Sequence, residues 1–252
     1  MADLPSGTVT FLFTDVEGSS RLWEAYPDAM QGASARHDEI VRGAIEAHNG
    51  SVVKTTGDGF HAAFTTASDA VAAAVDTQLG LAAESWSNTD PIRARIGIHT
   101  GAAEIRDGDY YGPALNRAAR VMDAGHGGQV LVSGATGELV RGSGVELVDL
   151  GSHQLRDLGE RERIFQVLHP NLTSEFPALR TYDAFATNLP LQVTTFVGRD
   201  DDVADVIDAL EQSRVLTLIG VGGVGRTRLA VQTAAKILPR YRDVCGCASS
   251  GL

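Results

Sequence analysis

Basic residues are in short supply: 21 Lys and Arg stand against 32 Asp and Glu, a formal net charge of −11 over 252 residues. Binding to a nucleic-acid backbone draws on clustered Lys and Arg that displace counterions, so this balance argues against direct nucleic-acid binding. Cysteine is nearly absent. Cys245 and Cys247 are the only two, close together near the C-terminus, which excludes a disulfide framework and leaves a C-x-C clip without partner ligands. Long apolar runs are missing as well: no stretch could cross a bilayer, and no basic segment followed by an apolar one opens the chain. A cytoplasmic protein without membrane contact is therefore expected. What is present is ordinary for a globular chain, 43% hydrophobic and 21% charged, with length for one large domain or one domain and part of another.

Chemistry concentrates in a few segments. Val52 to Phe60, VVKTTGDGF, reads as two short strands joined at a Gly-Asp-Gly tip, with glycines on both sides of Asp58 that permit φ > 0 and leave the carboxylate unshielded. Thr8 to Asp15, TVTFLFTD, has the β-branched and aromatic composition of a buried strand and ends in a second acid, Asp15. Two strand-end carboxylates suit a hard cation shared with substrate phosphates, which points to phosphoryl or nucleotidyl transfer. Asp-Gly is also common hairpin chemistry, so these two segments alone leave a purely structural turn open.

A third segment, Asp109 to Arg120, DYYGPALNRAAR, narrows the choice. Together the three resemble a class III nucleotidyl cyclase over roughly residues 7 to 168: FTDVEGS, KTTGD and D-x-x-G-x-x-x-N-x-x-x-R are all filled at the family's spacing. The resemblance implies that Asp15 and Asp58 hold two Mg²⁺ or Mn²⁺ ions per site and that Lys54 and Asp109 read the base. It implies that Asn116 orients the ribose, that Arg120 neutralises transition-state charge, and that the protein is a homodimer with active sites at the subunit interface. Lys is donor-only and ionised Asp acceptor-only, a pairing that matches adenine and mispairs with guanine. ATP is the implied substrate and 3′,5′-cyclic AMP the product, made by an adenylate cyclase. No GGDEF-like turn is present, which disfavours a diguanylate cyclase. The competing reading from another class is a cyclase-fold regulatory or interaction domain, weakly active or inactive, truncated from a transcriptional regulator.

In chain order, a helical segment broken at Pro27 follows the first strand and carries His37 and His48, read as packed or solvated residues. After the hairpin come an Ala-rich helix, Ala67 to Ala83, and a strand from Ile92 closed by Gly101, with Arg93 and Arg95 on its solvated face. Asp107 to Tyr111 reads as a polar turn, and Pro113 opens a helix that sets Asn116 and Arg120 on one face. Further short strands are expected at Gln129 to Val132, Val145 to Leu150 and Ile164 to Leu168. The pattern is α+β, with helices over a mainly antiparallel sheet, and the resemblance implies a ferredoxin-like split β-α-β core.

The catalytic domain is thus expected over residues 1–168, a linker over 169–197 and a third segment over 198–252. Asn171-Leu172-Thr173 matches a glycosylation acceptor, a chance match in a cytoplasmic chain. In the last segment a helix to Gln212, a buried strand Val215 to Ile219 and GVGGVGRT, Gly220 to Thr227, resemble the opening of a P-loop ATPase. Gly220, Gly225, Arg226 and Thr227 are its candidate phosphate residues. Arg226 stands where the phosphate-binding Lys belongs and no second acidic strand follows, so an incomplete module is expected.

Overall fold

Ten residues, Gly7–Val16, form strand β1 at the centre of the computed structural model, which describes residues 4–106, 108–181, 199–213, 215–219 and 225–237. β1 is buried on both faces, as its near-continuous apolar run demands. Helices α1 (Ser19–Ala25) and α2 (Pro27–Ala47) follow, with Pro27 at the first helical position of α2 where its missing N–H costs nothing. A hairpin of β2 (Ser51–Thr56) and β3 (Gly59–Phe64) leads into α3 (Ala67–Ala83), capped by the Thr66 hydroxyl, which accepts the Asp69 N–H. Then come β4 (Ala94–Arg106), β5 (Asp109–Tyr111), α4 (Pro113–Asp123), β6 (Val130–Ser133), α5 (Gly134–Leu139), β7 (Glu146–His153) and β8 (Glu162–Leu168).

The strand order is β2-β3-β1-β4-β6-β8-β7, with β5 paired to β4; β4 and β6 run parallel and the other pairs antiparallel. Its first four strands have the order of a split β-α-β core, in which β3 separates β2 from β1. One face of the sheet carries Leu12, Phe60, Ala62, Phe64, Ile96 and Ile98, packed with Val41 and Ile45 of α2 and Val71 and Ala74 of α3. The other carries Val9, Phe11, Phe13 and Ala63, packed with Ala114 and Ala118 of α4. Each fully buried Phe, Ile or Leu contributes roughly 1.5–3 kcal/mol over exposure, so the two faces together hold the strand ends in place.

Three expectations need correction. The strand expected to close at Gly101 runs on to Arg106, because β5 continues the ladder there; the expected polar turn at 107–111 is in part that short strand. Residues 169–180, read as the start of a linker, belong to the same compact unit as the sheet, which takes in residues 1–153 and 162–180. Val215 to Ile219 is not a strand: it is irregular, with Val215 81% and Ile219 89% exposed, so the apolar run has no sheet to join among the described residues. The second unit contains residues 154–161 and 181–252 and shows two helices, α6 (Asp200–Gln212) and α7 (Arg226–Ile237), with Val203, Leu229 and Val231 buried. Gly220 to Val224, Cys245 and Cys247 lie outside the described residues. No helix among the described residues is long and apolar enough to cross a membrane.

Candidate active site

Two acids flank one contact at the end of β1. Phe13 and His61 are the last pair of the β1–β3 ladder, and just beyond it Thr14, the neighbour of Asp15, packs against Gly59, the neighbour of Asp58. Gly59 is required for space: a Cβ there would lie 2.6 Å from the Thr14 carbonyl oxygen. Gly57, at φ +64°, is the residue that makes the turn. Thr14 Oγ1 accepts the Phe60 N–H at 3.0 Å and ties the hairpin to β1 just behind the two carboxylates.

The acids have different surroundings. Asp15 sits directly across the β1–β4 ladder from Arg95, whose Nη2 is 2.6 Å and Nε 2.8 Å from Oδ2. Both contacts fall on one oxygen, which leaves Oδ1 outside the pair. This corrects the reading of Arg95 as a solvated strand residue: only its neighbour Arg93 is exposed. Asp58 has a buried Oδ2 with no hydrogen-bond partner in the structure. A buried, bare carboxylate oxygen is costly, and a divalent cation is the partner its chemistry fits. Asp15 and Asp58 therefore suit a metal shared with a phosphate-bearing ligand, although no cluster of three or more metal-binding side chains occurs among the described residues.

On the same face, Lys54 of β2 and Asp109 of β5 converge. Lys54 Nζ and Asp109 Oδ2 are 3.9 Å apart, with side chains 56% and 40% exposed, so both remain open to a ligand. Asp109 is fixed through Oδ1, which accepts the Tyr110 N–H at 2.8 Å. Tyr110 is anchored in turn, packed edge-on against Phe11 and donating its hydroxyl to the Pro5 carbonyl. His61 lies opposite Lys54, stacked on Phe13 with ring centroids 3.8 Å apart; burial first, and then the Lys54 charge, push its pKa down.

The remaining pair rides on α4. Asn116 is exposed, and Arg120 Nη1 donates to Asp123 Oδ2 at 2.9 Å. α4 lies close to β4 because Gly97 has no side chain: a Cβ there would come within 2.2 Å of the Met122 amide nitrogen. Beneath the helix His99 is buried, its Nδ1 2.7 Å from Ser133 Oγ, and burial plus the nearby Arg117 charge lower its pKa to about 4. Of the P-loop candidates, Gly225 has φ +83° and precedes α7, whose first two residues Arg226 and Thr227 are exposed; Gly220 is not among the described residues.

The adenylate and guanylate cyclase catalytic domain model matches residues 2–169, a span that holds all six motif positions. The chain belongs to the adenylate and guanylate cyclase family. An uncharacterized protein of Mycobacterium tuberculosis is 49% identical over 201 residues, 77% of this chain and 68% of that one. The receptor-type adenylate cyclase GRESAG 4.3 of Trypanosoma brucei brucei is 32% identical over 65% of this chain and 17% of its own length. Among solved structures, a Trypanosoma brucei adenylate cyclase described in its monomeric state is 31% identical, with a TM-score of 0.66 over 71% of this chain and 96% of that one. The cyclase fold is thus accounted for by family and by structure. Arg95 and Tyr110 were not legible as site residues, because only strand pairing shows what each one faces.

Proposed function

We propose that this chain is an adenylate cyclase that converts ATP to 3′,5′-cyclic AMP and pyrophosphate, working as a homodimer. The observation that carries the reading is the Lys54–Asp109 pair, a donor and an acceptor held 3.9 Å apart and open to solvent. Adenine presents a ring-nitrogen acceptor beside an amino donor and satisfies both; guanine presents a ring N–H and a carbonyl and satisfies neither. A site built for one hydrogen-bond pattern rejects the other by up to roughly 10⁴- to 10⁵-fold.

Asp15 and Asp58 would hold two Mg²⁺ or Mn²⁺ ions, which supply Lewis-acid activation of the ribose 3′-hydroxyl and charge for the phosphates. Arg95, beside Asp15, adds a fixed cation where the triphosphate would lie. Asn116 orients the ribose so that its 3′-oxygen points at the α-phosphorus. The O3′–P bond forms, the bond from the α-phosphorus to the bridging oxygen breaks, pyrophosphate leaves and the 3′-hydroxyl proton passes to water. Negative charge grows on the α-phosphoryl and leaving oxygens, and the Arg120 guanidinium neutralises it. In the two-fold arrangement the carboxylates of one subunit face Lys54, Asp109, Asn116 and Arg120 of the other.

The test is base exchange. Lys54→Glu combined with Asp109→Ser reverses donor and acceptor and should lower kcat/KM for ATP relative to GTP by at least roughly 100-fold. An unchanged ratio in folded protein would assign base reading to other residues.

A further inference from the structure

Residues 171–180 lie past the segment matched by the cyclase family, yet they are fastened to the cyclase unit along their length. Gln166 Nε2 donates to the Ser174 carbonyl at 2.8 Å, and His126 Nε2 to the Ala178 carbonyl at 3.0 Å. Phe176 lies against Gly128, where an added Cβ would be 3.9 Å from its ring, and Leu179 is 5% exposed. The segment ends on Arg180, whose two kinds of donor go to two different elements. Its main-chain N–H donates to the Ala124 carbonyl at 2.9 Å, and its guanidinium pairs with the Glu17 carboxylate.

Those two acceptors are well placed. Glu17 is two residues beyond Asp15, and its N–H donates to the Arg93 carbonyl at 2.9 Å, the last rung between β1 and β4. Ala124 is the C-cap of α4, one residue after Asp123, the partner of Arg120. Glu17 also accepts the Gly127 N–H from the loop after α4; burial works to raise its pKa, but that bond and the Arg180 charge outweigh burial and hold it below its ordinary value. A single residue thus joins the end of the strand that carries Asp15 to the end of the helix that carries Asn116 and Arg120.

We infer that residues 171–180 form a strap of the cyclase unit and that Arg180 is a positioning residue, setting the end of β1 against α4 without touching substrate. The catalytic consequence rests on the proposed cyclase activity; the structural consequence does not. Loss of the guanidinium frees the β1 end, and displacements of about 1 Å at reacting groups cost on the order of 10²-fold in rate.

The experiment uses the full chain with Arg180→Ala, Arg180→Lys, Glu17→Ala and the double variant, each shown folded by circular dichroism. Amide hydrogen exchange over residues 13–18 should speed up in Arg180→Ala and return towards wild type in Arg180→Lys. For ATP turnover, kcat should fall roughly 10- to 100-fold with KM within about twofold, and the double variant should lose no more than either single one. Unchanged exchange at residues 13–18 overturns the strap, whatever the activity. Unchanged kcat in folded Arg180→Ala, or losses that multiply in the double variant, overturn the positioning role. A wild-type chain that makes no cyclic nucleotide overturns the proposed function, while the exchange result still decides the strap.

Discussion

At the scale of the residue, Asp15 and Asp58 are chemically identical and differently partnered. One is neutralised by Arg95 at 2.6 Å, and the other keeps a buried oxygen bare. The bare oxygen marks the stronger demand for a cation, since a buried unpaired charge costs more than a paired one. The acids themselves were legible in FTDVEGS and KTTGDGF as a strand-end acid and an acid between glycines, but the expected unshielded carboxylate at Asp58 is corrected by its buried Oδ2. Arg95 was not legible, because alternation along a strand tells which face a side chain takes but not which strand lies beside it. His99 carries a prediction of its own. Its folded pKa of about 4 lies below the ordinary value of 6.5, so between those pH values the unfolded chain binds a proton that the folded chain refuses. Its stabilising share is complete above about pH 6.5 and is lost as pH falls to about 4, in all roughly 2–3 kcal/mol. Urea unfolding at pH 7 and pH 4.5 should show this loss in wild type and a smaller one in His99→Asn; equal losses would place the titration elsewhere.

At the scale of the element, α4 and the strand beneath it decide whether Asn116 and Arg120 are delivered. The helix was legible from Pro113 and from the four-residue spacing of its polar pair, and Pro113 does occupy the first turn. Its depth on the sheet was not legible, because it depends on Gly97 having nothing to place against the Met122 backbone. Gly97→Ala should therefore destabilise by about 2–3 kcal/mol or more and lower cyclase turnover through displacement of α4. Gly101→Ala meets the Ala114 Cβ and His99 Nε2, both at 3.0 Å, a milder approach than the 2.2 Å at Gly97, and should cost less. Chemical denaturation of the two variants gives the comparison; equal stabilities would show that the helix has room to move. The β5 strand escaped sequence reading because three residues carry no period. The apolar run Val215 to Ile219 misled for the opposite reason: its composition suits a buried strand, but a strand is made by its neighbours.

At the scale of the whole molecule, the α+β class and the two packed faces follow the pattern of apolar periods, and the order of the first four strands is the one the family resemblance implies, while the far strands β6, β8 and β7 take their places from pairings between residues distant in sequence. The homodimer with shared sites is the claim on which the proposed mechanism depends, since Lys54 and Asp58 are four residues apart in one hairpin yet would serve different sites. The most direct test mixes two dead variants, Asp58→Ala and Arg120→Ala, and measures cyclic AMP formed from ATP with Mn²⁺. Each alone should lose orders of magnitude in rate. In a mixed dimer one site collects both lesions and the other has none; random re-pairing makes about half the dimers mixed, so about a quarter of wild-type activity should return. No recovery, in a mixture shown by native mass spectrometry to contain mixed dimers, would contradict the shared site.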